Sequence, residues 1–192
     1  MMPYRTLLIA SLILSACGST PAAKFYALDD GRLTQISGKS PSLAITRFSL
    51  PELVDRPQLV IRTAGNQITF SEGERWATPL REDIPRLLAN DLGELLNSQR
   101  VSALPIDQRQ HDADFRLQID ILALDTLDTG ENRLDLTWQL ANKAGKEVDS
   151  GRIQLREALP NTLTSTRIAA HRRLLAQSAR IIAERIPRSP VQ

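Results

Sequence analysis

From residue 24 onward the chain alternates short apolar-polar runs with turn residues, and only twice does the hydrophobic period lengthen from two residues to that of a helix. KFYAL (24–28) predicts a first strand and SLAITRFSL (42–50) a second. QLVIRT (58–63) and NQITFS (66–71) predict a hairpin closed around Ala64 and Gly65. Thr78 and Pro79 then open a helical pattern in which Leu80, Ile84, Leu87, Leu88, Leu92, Leu95 and Leu96 fall along one stripe. Pro85 lies inside that pattern. A proline there removes one backbone hydrogen bond and crowds the turn before it, so the pattern predicts either a kink or a helix that begins properly only near Asp83.

RVSALP (100–105) reads as a short strand. FRLQIDILAL (115–124) alternates at Phe115, Leu117, Ile119 and Ile121, after which Leu122 and Leu124 break the alternation, predicting a bulge or a strand covered on both faces. RLDLTWQLA (133–141) alternates cleanly, with Leu134, Leu136, Trp138 and Leu140 on one face and Arg133, Asp135, Thr137 and Gln139 on the other. NKAGKE turns the chain into VDSGRIQLRE, and residues 162 to about 186 predict a long helix stopped by Pro187. Strands arriving in hairpin-like runs with two substantial helices predict an α+β fold, a two-layer domain with an antiparallel or mixed sheet and both helices packed on one face. No internal repeat and no low-complexity segment interrupts it.

The first residues follow a different logic. Arg5 precedes the apolar run LLIASLIL, and the small residues Ser15 and Ala16 precede Cys17. A run of about eight apolar residues is far short of the twenty or so that cross a bilayer, so it reads as a removable secretory leader. Leu14, Ser15, Ala16 and Cys17 resemble the bacterial lipobox, in which the cysteine sulfur receives a diacylglyceryl group and the leader is cut off before it. The resulting boundaries are a leader at 1–16, a lipidated tether at 17–23, a domain at 24–187 and a loose tail at 188–192. GSTPAA, behind the cysteine, reaches at most about 20 Å, which keeps the domain close to the bilayer. Gly18 stands where, in proteobacterial lipoproteins, an aspartate would retain the product in the inner membrane; its absence points to the outer membrane, facing the periplasm.

Removing the leader from the 192 residues leaves 176, enough for one domain with a real core. Met1 and Met2 leave with it, and so does Arg5. The single cysteine is taken by lipid, which excludes disulfides and thiol chemistry in the mature chain. The mature domain carries 23 basic and 22 acidic residues, so nucleic-acid binding gains no support. Residues 161–192 are locally basic, with six arginines against Glu184 alone. Arg172, Arg173, Arg180 and Arg185 could meet anionic headgroups or an acidic partner. The plainer reading, which we favour, is a solvated outer face on a helix whose inner stripe is Ile168, Leu175, Ile182 and Ile186.

Catalytic signals are sparse. The two histidines, His111 and His171, have no second ligand at metal-site spacing, and His171, a turn from Ile168 and Leu175, reads as a helix-face residue near the core edge. Asp128, Thr129 and Gly130 spell the aspartic-protease triplet, but it occurs once, is followed by Glu131 and Asn132, and lies between two strand patterns, which predicts a hairpin turn. Nucleophile elbows, phosphate loops and dinucleotide fingerprints do not occur. Pairs such as Glu72 with Glu74 or Asp112 with Asp114 read as solvated loop charges. The chain does not read as an enzyme, and no metal or cofactor is expected beyond the covalent N-acyl diacylglyceryl lipid on Cys17.

One longer stretch, LPELVDRPQLVIRTAGNQITFSEGERWATPL (50–80), resembles the PqiC-type lipoproteins, also described as the ABC-type transport auxiliary lipoprotein family. In that family an early aromatic strand behind the lipid cysteine, here Phe25, Tyr26 and Leu28, is followed by a Leu-x-Asp-Arg-Pro element and a Trp-x-x-Pro-Leu element; Leu53, Asp55, Arg56, Pro57, Trp76, Pro79 and Leu80 occupy those places. The likeness in layout covers nearly the whole mature chain, and Pro85 is its one departure. The resemblance implies a non-catalytic outer-membrane lipoprotein that works with an MCE-domain tunnel protein and inner-membrane components in lipid trafficking, and that assembles as a homo-oligomeric ring at the tunnel end. A phospholipid crossing water exposes acyl chains at about 0.8 kcal/mol per methylene, so its path must be continuously apolar. With 4% aromatics, the domain reads as a packed core without a private lipid cavity, which favours a docking role or a pore between subunits over the alternative of a periplasmic lipid-binding carrier.

Overall fold

The computed structural model describes residues 22–29, 36, 38, 41–63, 67–103 and 112–188. The leader, Cys17, the hairpin tip at Ala64 and Gly65, residues 104–105, His111 and most of the tail lie outside the described residues. Among the described residues eight strands and two helices follow in the order β1 (Lys24–Tyr26), β2 (Leu43–Ser49), β3 (Gln58–Arg62), β4 (Ile68–Trp76), α1 (Leu80–Leu96), β5 (Val101–Ser102), β6 (Phe115–Leu127), β7 (Glu131–Asn142), β8 (Glu147–Ala158) and α2 (Thr164–Ala183).

The sheet is mixed and forked, and β6 is its trunk. Along one edge β6 pairs antiparallel with β7, which pairs antiparallel with β8. The other edge is shared by two shorter strands in line, both parallel to β6: β2 beside Phe115–Asp120 and β3 beside Thr126–Leu127. β5 extends the β2 branch, while β4 and then β1 extend the β3 branch. The fork is possible because β6 has 13 residues and β2 and β3 only 7 and 5. The chain leaves β2 and rejoins the same edge through a tight turn at 50–57, where the amides of Val54 and Asp55 donate to the Pro51 carbonyl at 2.9 and 3.0 Å. No crossover helix is needed, since both strands run in one direction along one partner.

The broken alternation in β6 is a bulge. The register against β7 shifts between Ile121 and Ala123, and Leu122 is pushed out to 48% exposure. An extra residue on one strand restores inward facing for Leu124 after the irregularity. The two hairpin turns need a left-handed residue, and glycine takes it at no steric cost: Gly130 has φ 81° and Gly145 has φ 82°. Asp128, Thr129 and Gly130 are thus the turn between β6 and β7, with the Gly130 amide on the Leu127 carbonyl.

Both helices cover one face. Leu80, Ile84, Leu88, Leu92 and Leu96 of α1 meet Phe115, Leu117, Ile119, Leu134 and Leu136 of the sheet, all below 2% exposed. Helix α1 begins at Leu80, not near Asp83: the amides of Glu82 and Asp83 already reach back to the Pro79 carbonyl at 3.0 Å. Pro85 sits within the helix, and its missing donor costs one bond near the end, where burial of the apolar stripe outweighs it. β1 is shorter than its sequence pattern and β5 is reduced to two residues, while α2 starts at Thr164 and ends at Ala183, three residues before Ile186.

Candidate functional site

The family-like elements of residues 50–80, scattered in sequence, converge at the lateral edge of the sheet opposite β8. β1 lies parallel on β4, setting Lys24 beside Glu74, Phe25 beside Arg75 and Tyr26 beside Trp76. The strand ladder continues into the next element, because the Ala77 amide donates to the Tyr26 carbonyl and the Trp76 amide to the Pro57 carbonyl, each at 2.7 Å. Asp55, Arg56, Pro57, Trp76, Ala77, Thr78 and Pro79 together line a cleft of about 300 Å³.

Each motif residue has a visible task there. The Asp55 carboxylate accepts from Arg81 Nε at 2.7 Å and holds the 50–57 turn to the start of α1. Arg56 stacks its guanidinium 4.2 Å above the Phe70 ring. Trp76 and Leu80 are buried in the core and Leu53 packs against it. Pro79 presets the first helical turn. Most of the motif therefore builds the corner, and what it leaves at the surface is the cleft, Arg56 and Thr78.

A second groove of about 670 Å³ runs between residues 26–29 and α2, bordered by Leu28, Ile168, Ala169, Ala176, Arg172 and Arg173. The small side chains of Ala169 and Ala176, seven residues apart on one helix face, keep it open.

The arginines of α2 are largely engaged within the molecule. Arg172 makes a bidentate pair with Asp91 of α1, Nη1 to Oδ2 at 2.8 Å and Nη2 to Oδ1 at 2.6 Å. Arg173 donates to Glu157 and Arg185 lies 3.8 Å from Asp149. Arg173, Arg180 and Arg185 are all exposed, the solvated character expected of that face, and of the four only Arg172 is half-buried.

His171 is a correction to the sequence reading. It is not at the core edge but inside, 4% exposed, against β6 and β7. Thr126 Oγ1 donates its only proton to Asn132 Oδ1 at 2.8 Å, so the 3.3 Å contact to His171 Nε2 assigns the ring proton to that nitrogen. Nδ1 is then buried with no partner. Asn132 closes the network by donating to the Arg167 carbonyl at 2.6 Å. Burial pushes His171 down to about 4, with the Asp125 charge pulling weakly the other way. Desolvation works against the charge of Asp125 itself, but the bonds from Arg133 and Arg62 outweigh it and hold its carboxyl below the usual range.

A pH dependence follows. The folded protein keeps His171 neutral down to about pH 4, whereas the unfolded chain takes the proton near 6.5, so stability is full above that pH and falls as pH descends through the window between the two values. The expected loss is about 3 kcal/mol. Urea denaturation at stepped pH is expected to show it in the wild type and to show a shallower profile for His171→Leu, nearly flat between pH 6.5 and about 5 and falling only toward pH 4, where the depressed carboxyls of Asp125 and Asp135 begin to take protons in the unfolded chain; parallel profiles would refute it.

Among the described residues no group of three or more His, Cys, Asp or Glu side chains gathers as a metal site would, and no helix is long and apolar enough to cross a membrane.

A family model described as the ABC-type transport auxiliary lipoprotein component matches residues 26–183. The chain belongs to that family. This PqiC-like lipoprotein family is one of auxiliary transport components and not a known enzyme family. No curated protein matches. Among solved structures the chain resembles one of an uncharacterized protein, at TM-score 0.71 and 17% identity over 86% of this chain and 99% of that one. It also resembles a protein from Xanthomonas campestris, XCC0632, at TM-score 0.62 and 18% identity over 83% and 92%. At such identity the likeness establishes a shared fold. The cleft residues were visible in the sequence only as a motif; that they meet at one edge depends on β1 pairing with β4 across 50 residues.

Proposed function

We propose that this family member is a non-catalytic subunit, tied through lipid on Cys17 to the periplasmic face of the outer membrane, that seats an MCE-type periplasm-spanning tunnel there and so supports lipid traffic and envelope integrity. The observation that carries this reading is the family match over residues 26–183 behind a lipobox-like cysteine. The filled core supports it: the space between sheet and helices is occupied by leucine, isoleucine and phenylalanine side chains with almost no exposure, leaving an acyl chain to find its apolar path elsewhere, between subunits or in the tunnel.

A carrier role is the second reading, and the groove beside α2 is the observation that favours it, since Leu28, Ile168, Ala169 and Ala176 offer an apolar wall. One preparation separates the two. Protein extracted gently from membranes is expected to co-purify with an MCE partner encoded beside it, and native mass spectrometry of the separated subunit is expected to show the lipid-modified chain without bound phospholipid. Recovery of free monomer only would refute the docking role, and stoichiometric phospholipid would favour the carrier.

A further inference from the structure

The face of the sheet opposite the helices is largely an ion-pair ladder. Arg152 and Gln154 hold Asp135, which the Arg152 bonds pull down to about 2; Arg133 and Arg62 hold Asp125, and Arg156 holds Glu131. At the β1 corner this pattern stops. Tyr26 and Trp76 pack toward the helices, so their neighbours Phe25 and Arg75 project to the open face. Leu59 lies in the helix-side core, so Val60 and its cross-strand partner Phe70 lie on the opposite side of the sheet, Val60 buried and Phe70 half-covered by the Arg56 guanidinium, which leaves Phe25 as the exposed apolar side chain there. Phe25 is 65% exposed, more than any other large hydrophobic among the described residues. Arg56, stacked on Phe70, and Arg75 each keep a buried Nε without a hydrogen-bond partner among the described residues. Of the carboxylates on the flanking elements, Glu74 accepts from the Tyr26 hydroxyl at 3.4 Å and from Ser71 at 3.2 Å, Asp55 is held by Arg81, and Glu72 is exposed.

An exposed phenylalanine flanked by arginines has the composition of a surface that lies in the headgroup region of a bilayer, the ring in the interface and the guanidinium groups on phosphates. Its place in the chain supplies the membrane. The tether from residue 17 enters at Lys24, on the same strand, and its reach of about 20 Å holds this corner at the bilayer before any other part of the sheet.

We infer that the β1 corner, with Phe25 at its centre and Arg56 and Arg75 beside it, is a membrane-contact surface for anionic phospholipid headgroups. The inference rests on the anchoring proposed above and deepens it: the lipid is not a loose leash, and the domain stands on the membrane in one orientation. Such an orientation points β8, the opposite lateral edge, away from the bilayer.

Because the one cysteine is taken by lipid in that reading, Phe25→Cys provides a unique thiol. The lipidated protein, labelled there with an environment-sensitive fluorophore and reconstituted in vesicles of phosphatidylethanolamine and phosphatidylglycerol, is expected to shift to apolar emission and to be quenched by brominated acyl chains. The same label at Ser150→Cys on β8 is expected to stay aqueous. In a second arm the mature chain with Cys17→Ser is titrated with the same vesicles, and Arg56→Gln and Arg75→Gln are each expected to weaken partition about fivefold, at about 1 kcal/mol per surface arginine. Aqueous emission at residue 25 while the protein remains in the membrane pellet would overturn the inference and leave anchoring and partner capture standing. An unchanged partition of the arginine variants, or Phe25→Ser abolishing partner capture while lipid contact is unaltered, would overturn it as well.

Discussion

Cys17→Ala, expressed behind a secretory leader that ordinary cleavage removes after Ala16, is expected to move the protein from the membrane pellet to the soluble periplasmic fraction almost completely. A single acyl chain binds a bilayer only marginally, whereas two or three on one residue make release negligible, because each buried methylene contributes about 0.8 kcal/mol. Removing them all leaves only the contact of the β1 corner, too weak for retention in a washed pellet. Folding is expected to be untouched, since the described core begins at Leu28, and denaturation midpoints of the two forms should coincide. Fractionation with a mass measurement of the N-terminal peptide checks the prediction. A variant that stays in the pellet, or a wild-type peptide with a bare thiol, would remove the basis for the proposed role.

The second large effect lies between the helices. Asp91 and Arg172 join α1 to α2 by two short bonds, with side chains only 11% and 20% exposed. A pair in that position contributes modestly compared with apolar residues of the same size, but breaking it strands a charge that water reaches poorly. Asp91→Ala is therefore expected to destabilise the domain by about 3 kcal/mol, seen as a fall in melting temperature of roughly 10 °C for a chain of this size. The double replacement Asp91→Leu with Arg172→Met is expected to recover most of that loss, because it removes both charges and fills the space. Asp91→Ala melting with the wild type would show that the pair is solvated and that the leucine stripes alone hold the helices.

That pair also shows why the arginine-rich segment misleads in one dimension. Arg172 and Arg173 stand next to each other in a basic run, yet one faces a carboxylate 81 residues earlier and the other a carboxylate on β8. Local charge density describes what a helix carries and not what it meets. His171 is the same lesson from the core: on a helical wheel it is a polar residue beside an apolar stripe, and only the arrival of Thr126 and Asn132 from the β6–β7 hairpin makes a buried position tolerable for it.

By itself the amino-acid sequence determined what depends on short range: the alternation of β7, the break in alternation after Ile121, the glycine turns at 130 and 145, the apolar stripe of α1 and the two-layer α+β class. These follow from side-chain period, backbone sterics and turn chemistry within a few residues, which a string of letters records. The tertiary structure alone decided the fork of the sheet around β6, the placement of Trp76, Pro57 and Tyr26 at one edge, the exposure of Phe25 and the pairing of Asp91 with Arg172. Each is a contact between positions tens of residues apart, selected by which strand buries the most apolar surface against which partner, and no local period encodes that choice.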